Sequence, residues 1–160
     1  PFEVEKCAGA VNDGKKAGDN FCYRCMLGNR PVVMVFARKT DDRLAGLVKE
    51  LDKAVAKNSD KKLASFVNLI GTECDCLKTA AKEFAEKNQI QNVALVVPQE
   101  SENGPQEFKI NPEAEVTVII YNPNRRGDQK VMANFAFRKG ELNDAKAEAV
   151  VKALANVLPK

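Results

Sequence analysis

From Pro31 onward, apolar residues form short continuous runs that alternate with segments of helical periodicity. The run Val32–Ala37 is apolar throughout and rich in β-branched side chains, which is typical of a central strand buried on both faces. The segment Thr40–Asp42 then offers a cap and acidic first-turn residues. Apolar residues recur at spacings of three and four up to Asn58. The pattern therefore predicts a buried strand followed by an amphipathic helix.

The same alternation continues through the middle of the chain. Lys62–Ile70 is a second predicted strand, and Leu77–Lys87 is a second amphipathic helix. Val93–Val97 is a third buried strand that ends at Pro98, and the polar residues 99–106 predict a surface loop. Strands that alternate with helices in this way imply right-handed parallel crossovers.

The last third of the chain predicts a β-hairpin and a closing helix. The strands Val116–Tyr121 and Val131–Phe137 flank the turn-forming residues 122–128. A short helical turn is expected around Phe108, and an amphipathic helix is expected after Asn143. With a short strand at residues 2–6, these elements predict a three-layer α/β protein.

Composition and charge exclude two classes of partner. Hydrophobic residues make up 44% and charged residues 29% of the chain, which is ordinary for a globular protein. The 25 basic and 22 acidic residues are scattered, so no field strong enough to grip nucleic acid is expected. The adjacent Arg125 and Arg126 fit a solvated hairpin turn. The longest apolar run, Val32–Ala37, is far shorter than the ~20 residues that a membrane-spanning helix needs.

Three segments together suggest a family. Gly28–Ala37 reads like the pattern GK-P-V-V-L-x-F-W of a first core strand, and Ile119–Asn124 reads like the strand-to-turn pattern F-L-I-D-x-x-G. Val93–Val97 reads like an additional F-P-V-L-L-D strand. These segments, in this order, resemble the thioredoxin-like superfamily, in particular its redoxin and peroxiredoxin branch. The resemblance implies a thioredoxin-like three-layer α/β/α sandwich with a mixed central sheet.

The chemistry departs from that family at its usual active site. A redoxin carries its nucleophilic cysteine at the start of the helix after the first core strand, where unpaired amides and the helix dipole lower the thiol pKa. Residues 38–43 here read Arg-Lys-Thr-Asp-Asp-Arg, so a peroxidatic or standard thioredoxin cycle at that place is excluded. The family's cis-proline position falls near Glu115 or Val116, whereas this chain has Pro112. We expect an ordinary trans bond at Pro112.

Cys22 and Cys25 form a C-x-x-C motif before the first core strand. This spacing lets two thiols form a disulfide within one turn or share a metal ion. Because the motif precedes the first core strand, we expect it near the opposite edge of the sheet from the usual active site. Residues around the motif predict a short helical turn: Asp19 or Asn20 would cap it, Gly28 would end it, and Arg24 and Arg30 would favour a thiolate.

Three interpretations of this motif stay open. A structural disulfide would fasten the N-terminal segment, either within the pair or from Cys7 to Cys22 or Cys25. A redox-active pair would exchange its disulfide with a partner. A thiolate metal site would use the same spacing.

Cys74 and Cys76 form a C-x-C at the start of the second helix. They follow the carboxyl end of the second strand, and open α/β sheets bind ligands at that edge. The spacing argues against a function, because a C-x-C disulfide closes a small strained ring and the neighbouring Glu73 and Asp75 raise the thiol pKa. We regard them as secondary thiol candidates. A four-thiolate site that includes Cys22 and Cys25 is disfavoured, since the two pairs are predicted at opposite ends of the sheet.

The chain contains no histidine, which excludes histidine-based metal ligation and a histidine-dependent triad. It also contains no Gly-rich phosphate loop, so we expect neither a cofactor nor a metal. The first function hypothesis is thiol-disulfide exchange through Cys22 and Cys25 with a protein partner. The second is a redox-inactive binding or scaffold module that uses its cysteines as structural disulfides.

The start of the chain bears on location and domain organisation. It begins at Pro1 without an initiator Met, so we expect trimming, either by removal of an export signal or through the way the chain was expressed. Five cysteines favour an exported protein, periplasmic or extracellular. We expect residues 1–30 to form an N-terminal strand and cysteine-bearing extension, and residues 31–160 a thioredoxin-like core, within one domain.

Overall fold

A mixed β-sheet lies at the centre of the computed structural model, which describes residues 2–72, 74–123 and 129–158 and, for Cys74, Pro123, Gln129 and Lys130, the backbone alone. The strands are β1 (Val4–Gly9), β2 (Asn20–Phe21), β3 (Val32–Ala37), β4 (Ala64–Leu69), β5 (Ala94–Pro98), β6 (Ala114–Pro123) and β7 (Gln129–Arg138). The α-helices are α1 (Tyr23–Leu27), α2 (Asp42–Lys57), α3 (Cys74–Asn88) and α4 (Asp144–Val157). Short 3₁₀ turns lie at Ser59–Lys61 and Gln106–Phe108. The strand order is β2-β1-β5-β4-β3-β6-β7.

Strand β3 lies between β4 and β6, as its apolar sequence predicts. All six of its residues are buried. It pairs in parallel with β4, where Val35 lies opposite Val67, and antiparallel with β6, where Val35 lies opposite Val118. The predicted position between residues 63–70 and residues 116–121 is confirmed.

The three long helices α2, α3 and α4 pack on one face of the sheet, which we call the helical face. The connections β3-α2-β4 and β4-α3-β5 each step one strand in the same direction, and right-handed crossovers then place both helices on the same side. Helix α4 returns from β7 to pack beside α2. The helical face buries the alternate β3 residues Val33, Val35 and Ala37 against these helices.

The opposite face, which we call the aromatic face, carries a thinner layer. Its buried residues include Met34 and Phe36 of β3 and Phe66 of β4. The short helix α1 and the turn Gln106–Phe108 lie over it, and Phe2 and Phe108 pack against its edge. The fold is therefore α/β with a mixed sheet between two layers, as predicted.

Element boundaries differ most from the sequence prediction at β1, β2 and α3. Strand β1 runs over residues 4–9 rather than 2–6, and it pairs antiparallel with β5. Its last residue is Gly9 with φ +75°, and a Cβ there would collide with the carbonyl oxygen of Val93. Helix α3 begins at Cys74 rather than near residue 77, so both C-x-C residues lie in its first turn. The two-residue strand β2 was not predicted.

The remaining predicted elements are confirmed or lie outside the described residues. The hairpin β6–β7, the helical turn at Phe108 and the closing helix α4 are confirmed. The turn that contains Arg125 and Arg126 lies outside the described residues. Among the described peptide bonds none is cis, so Pro112 is trans. No helix in the described part of the chain is long and apolar enough to cross a membrane.

Candidate functional site

Cys22 and Cys25 are joined by a disulfide across the first turn of α1, with their Cα atoms 5.3 Å apart. Cys22 is itself the N-cap of this helix, because its Sγ accepts a hydrogen bond from the backbone N–H of Cys25 at 3.1 Å. The expected cap at Asp19 or Asn20 is wrong: Asp19 Oδ2 instead accepts from the backbone N–H of Lys16. The expected end at Gly28 is confirmed, where φ is +55°.

The two sulfur-bearing residues differ in their access to solvent. Cys25 is exposed and Cys22 is half-buried. The next residue along, Met26, is 39% exposed, which is high for a large apolar side chain in this protein. Cys25 is therefore the more solvent-exposed residue of the pair, and disulfide exchange in general requires direct attack on one sulfur.

Helix α1 is fastened to the aromatic face by Tyr23. The Tyr23 ring stacks on Phe66 with centroids 5.1 Å apart and is only 3% exposed. Its phenol donates a hydrogen bond to the Asp13 carboxylate. Burial, together with this carboxylate, raises the pKa of Tyr23 well above its usual range. The phenol therefore stays protonated and remains a hydrogen-bond donor at any ordinary pH.

Arg24 fastens the same helix on its other side. Its guanidinium carbon lies 5.6 Å from the ring centroid of Tyr121 and 5.9 Å from that of Phe108. Burial raises the pKa of Tyr121 above its usual range, and the Arg24 charge opposes that rise in part. Arg30, the second cation expected to favour a thiolate, donates from Nε to the carbonyl of Lys62 at 2.8 Å. These contacts give both arginines packing roles in addition to their charge.

The disulfide lies where the chain crosses the aromatic face from β2 to β3. Phe21, the residue before Cys22, pairs with Val4, and Val4 pairs with Pro98 at the carboxyl end of β5. The chain therefore leaves β2 beside the carboxyl end of β5, whereas Arg24, between the two cysteines, lies against Tyr121, which pairs with Val32 at the amino end of β3. The sequence could not show this, because the return of the chain through the two-residue strand β2 leaves almost no pattern.

Cys7 packs on the opposite face of the sheet from helix α1. It lies in β1 with 3% exposure and belongs to the core of the helical face, whereas Tyr23 and Leu27 of α1 belong to the aromatic face. Its Sγ donates to the carbonyl of Glu5 at 3.6 Å. Among the described side chains, a disulfide joins Cys22 to Cys25, and Cys7 takes no part in it.

Cys74 and Cys76 lie in the first turn of α3, after β4. Cys76 is exposed, in a shallow pocket that Asp75 and Glu83 also line. Because α3 packs on the helical face and α1 on the aromatic face, the sheet separates the two cysteine pairs. Across the described residues, no cluster of three or more cysteine or carboxylate side chains is arranged to hold a metal ion.

At the family's usual site, the start of α2, the structure places a carboxylate. Asp41 is the N-cap, and its Oδ1 accepts from the backbone N–H of Leu44 at 3.0 Å. The nearby Lys39 pairs with Glu115 at 3.5 Å. This arrangement stabilises a helix start and offers no nucleophile, in agreement with the sequence.

An open groove of about 970 Å³ lies at the carboxyl ends of β3, β4 and β5. Arg38 forms part of its wall and donates to the carbonyls of Ala114 at 2.9 Å and Asn111 at 3.3 Å, and to the Asn103 side chain. Burial lowers the Arg38 pKa from its usual value. The groove ends at Gln106, in the same turn as Phe108, over which Arg24 of α1 lies. The turn Gln106–Phe108 thus meets the groove through Gln106 and helix α1 through Phe108.

Two comparisons with known proteins find nothing and one finds a fold. No family model matches the chain, and no curated protein matches it. Among solved structures, the chain is similar to the peroxidoxin BcpB of Mycobacterium tuberculosis, with 12% identity, a TM-score of 0.66 and coverage of 99% of this chain and 94% of that one. It is also similar to a secreted disulfide oxidoreductase of Mycobacterium tuberculosis that is homologous to Escherichia coli DsbE, with 11% identity, a TM-score of 0.64 and coverage of 98% and 96%.

A third neighbour is a cysteine-to-serine mutant of Xanthomonas campestris peroxiredoxin Q, with 10% identity, a TM-score of 0.65 and coverage of 97% and 90%. At such identities the likeness concerns the fold alone. The chain has a thioredoxin-like fold, and its structural neighbours include peroxiredoxins and DsbE-like proteins. It carries a C-x-x-C disulfide on a helix that precedes the first core strand.

Proposed function

We propose that this protein exchanges disulfides with a partner protein through Cys22 and Cys25. The observation that carries the proposal is the Cys22–Cys25 disulfide on a thioredoxin-like fold, in which Cys25 is exposed and Cys22 is half-buried. A bridge that an incoming thiolate can reach can be reduced, whereas an enclosed one resists reduction. Neighbours of the same fold include proteins described as disulfide oxidoreductases, and this agrees with the proposal.

The exchange begins at Cys25. A thiolate of the partner attacks Cys25 Sγ and forms a mixed disulfide, the Cys22–Cys25 bond breaks, and Cys22 leaves as a thiolate. The backbone N–H of Cys25 already donates to Cys22 Sγ and would continue to donate to this thiolate. A second thiolate of the partner then attacks the partner's own sulfur and releases Cys25. The partner dithiol is oxidised to a disulfide, and Cys22 and Cys25 take up two electrons and two protons.

The groove at the carboxyl ends of β3, β4 and β5 supports a polypeptide partner rather than a small molecule. It is wide, open and lined by polar residues, which include Gln99, Ser101 and Asn103. An extended peptide in such a groove would bond to these side chains through its backbone amides. We propose an exposed protein dithiol or disulfide as the substrate class.

A trapping experiment tests the exchange. In Cys22→Ser, Cys25 keeps its thiol but lacks its internal partner, so its mixed disulfide with an oxidised protein substrate persists. Insulin with its native disulfides serves as the probe, and mass spectrometry of acid-quenched samples locates the attached sulfur. Cys76→Ser is the matched control, because it removes another exposed cysteine and leaves the Cys22–Cys25 pair intact.

We expect wild type and Cys76→Ser to reduce insulin disulfides at equal rates with dithiothreitol as reductant. Cys22→Ser and Cys25→Ser are expected to show only the rate of dithiothreitol alone, and Cys22→Ser to accumulate the mixed disulfide at Cys25. Equal insulin reduction by wild type and Cys25→Ser would contradict the proposal.

A second candidate function is a redox-inactive binding module whose bridge only fastens α1. It is favoured by one observation, which is that Asp41 occupies the place of the family's nucleophile, so the usual chemistry of the fold is absent there. In that case the groove at the carboxyl ends of the strands would bind its partner without exchange. The trapping experiment separates the two, since a binding module forms no mixed disulfide.

We also propose an exported location, in an oxidising compartment. A solvent-accessible cysteine pair is kept reduced in the cytosol. In secreted proteins and in the periplasm its disulfide persists. The measurement is the redox state of Cys22 and Cys25 in cells, read by alkylation of thiols before lysis. A fully reduced pair in a cell fraction that contains the protein would contradict this location.

A further inference from the structure

A buried ammonium group lies below the loop that precedes α1. The Lys6 side chain is 3% exposed, although it belongs to strand β1. Its Nζ donates to the carbonyls of Ala10 at 3.0 Å and Lys15 at 2.9 Å, and to Asp13 Oδ1 at 2.6 Å. An ammonium group has three donors, so all of them are used. Such full pairing is what makes a buried charge tolerable.

Asp13 connects this buried charge to the disulfide helix. Its Oδ1 also accepts from the backbone N–H of Lys15 at 2.8 Å, which fixes the carboxylate in the loop. Its Oδ2 accepts from the phenol of Tyr23. Tyr23 is the residue directly after Cys22 and the first residue of α1. The contacts thus run from Lys6 through Asp13 and Tyr23 to the backbone that carries the disulfide.

Neither Lys6 nor Asp13 touches the sulfur atoms in any contact that the structure shows, so a role in exchange would be indirect. A helix of five residues is too short to be stable by its own hydrogen bonds. Its position in the reduced protein, without the bridge, therefore depends on its side-chain anchors. Tyr23 is the anchor nearest in sequence to Cys22.

We propose that Asp13, held by Lys6, is a positioning residue that keeps Cys22 and Cys25 at bridging distance in the reduced protein through its bond to Tyr23. This inference rests on the proposed exchange at the same pair. Holding two thiols together raises their effective concentration, which favours closure of the disulfide. The anchor therefore stabilises the oxidised form relative to the reduced form.

The equilibrium with glutathione measures this effect without any protein partner. Two glutathione thiols reduce the Cys22–Cys25 bridge and become one glutathione disulfide, while Cys22 and Cys25 each gain a hydrogen. Tyr23→Phe keeps the ring that stacks on Phe66 and removes only the hydroxyl that donates to Asp13. We expect the variant bridge to be reduced more easily, with an equilibrium constant changed by about three- to tenfold, or about 15 to 30 mV.

Tyr121→Phe is the matched control. Tyr121 lies under Arg24 of the same helix, and within the described residues its buried hydroxyl has no hydrogen-bond partner. Tyr121→Phe also removes a phenol oxygen from the aromatic face, but no hydrogen bond is lost with it. Its glutathione equilibrium should therefore equal that of wild type. Thermal unfolding of both redox forms accompanies each measurement.

The outcomes are distinct. A shift in Tyr23→Phe alone supports the positioning role. If Tyr23→Phe lowers the melting temperature of both redox forms equally and leaves the glutathione equilibrium unchanged, the bond is merely structural and the inference is wrong. An equal shift in Tyr121→Phe also overturns it. Failure of the insulin assay would contradict the proposed exchange and would leave this glutathione equilibrium measurable.

Discussion

Helices α1 and α2 begin with the same type of N-cap hydrogen bond, but the accepting atom is a sulfur at α1 and a carboxylate oxygen at α2. At α1 the Sγ of Cys22 accepts from the backbone N–H of Cys25 at 3.1 Å, and at α2 the Oδ1 of Asp41 accepts from that of Leu44 at 3.0 Å. In each case an N-cap side chain satisfies a helix N–H three residues ahead. The fold's usual nucleophile position, at α2, therefore holds a carboxylate, while the sulfur lies at α1.

The two helices differ in what holds them. Helix α2 has 16 residues and an apolar stripe in the core of the helical face, so it is stable through burial along its length. Helix α1 has five residues, of which Tyr23 and Leu27 are buried. A long helix brings a sizeable dipole to its first turn, and a single turn brings little. The reactivity of Cys22 and Cys25 at α1 therefore depends on their solvent exposure and on the side chains that anchor the helix, rather than on a helix dipole.

The largest effect expected on stability comes from the bridge at α1. Loss of a disulfide that closes a loop of only four residues lowers the free energy of unfolding by at most about 2 kcal/mol through chain entropy. Cys22→Ser is suited to the measurement, because serine is also a good N-cap and keeps an acceptor for the Cys25 N–H. Urea unfolding of wild type and variant gives the difference.

Cys22→Ala is the matched variant, since it removes the bridge and the cap together. The difference between the serine and alanine variants then gives the contribution of the cap alone. A loss above about 4 kcal/mol in Cys22→Ser, within the range of disulfides that hold small domains together, would identify the bridge as a structural element. That result would favour the binding module over the exchange protein.

Much of the architecture could be predicted from the sequence because burial produces clear patterns. Strand β3 is apolar at every position since both of its faces are covered, and α2 shows a cap followed by regular apolar spacing. The position of Cys22 could not be predicted in the same way. It depends on β2, a pairing of two residues with β1, and on a contact between Tyr23 and Phe66 that are far apart in sequence.

The anchor below α1 was also missed. Lys6 lies in a strand, and a lysine there is normally solvated, so nothing in the local pattern separates it from the other lysines of the chain. Asp13 precedes a glycine in a segment that reads as an ordinary turn. Only the folded arrangement brings Lys6, Asp13 and Tyr23 together, because their contacts span 7 and 10 positions without helical or strand periodicity.

A smaller energetic effect, on the pKa of a thiol, is expected when a cysteine is introduced at the start of α2. Asp41→Cys places an exposed thiol at the cap of a 16-residue helix, in a pocket that Lys39 and Arg43 also line. The helix dipole and Arg43 should lower the thiol pKa by about one unit from its free value near 8.5, whereas Lys39 is already paired with Glu115. One unit corresponds to about 1.4 kcal/mol.

Lys49→Cys is the control, because it places an exposed thiol in the middle of the same helix, away from both ends. Site-resolved alkylation with iodoacetamide as a function of pH gives each pKa. Equal values at positions 41 and 49 would show that the start of α2 has no electrostatic advantage. The proposed contrast between α1 and α2 would then lose its physical basis.

The smallest effect comes from removal of the Asp41 cap without a substitute. Asp41→Ala leaves the backbone N–H of Leu44 without its acceptor, and loss of such a cap costs about 1 kcal/mol of unfolding free energy. Asp42→Ala is the matched control: its carboxylate belongs to the same turn but is almost fully exposed and lies 4.0 Å from Lys87, a distance at which a surface pair adds little. We expect the Asp42 variant to lose only the few tenths of a kcal/mol, roughly, that an exposed first-turn carboxylate contributes through the helix dipole, and the Asp41 variant to lose more in urea. Since the bridge at α1 is untouched in both, their insulin reduction should equal that of wild type. A loss of exchange in Asp41→Ala would show that the family's usual position still takes part in the chemistry, although it holds no sulfur.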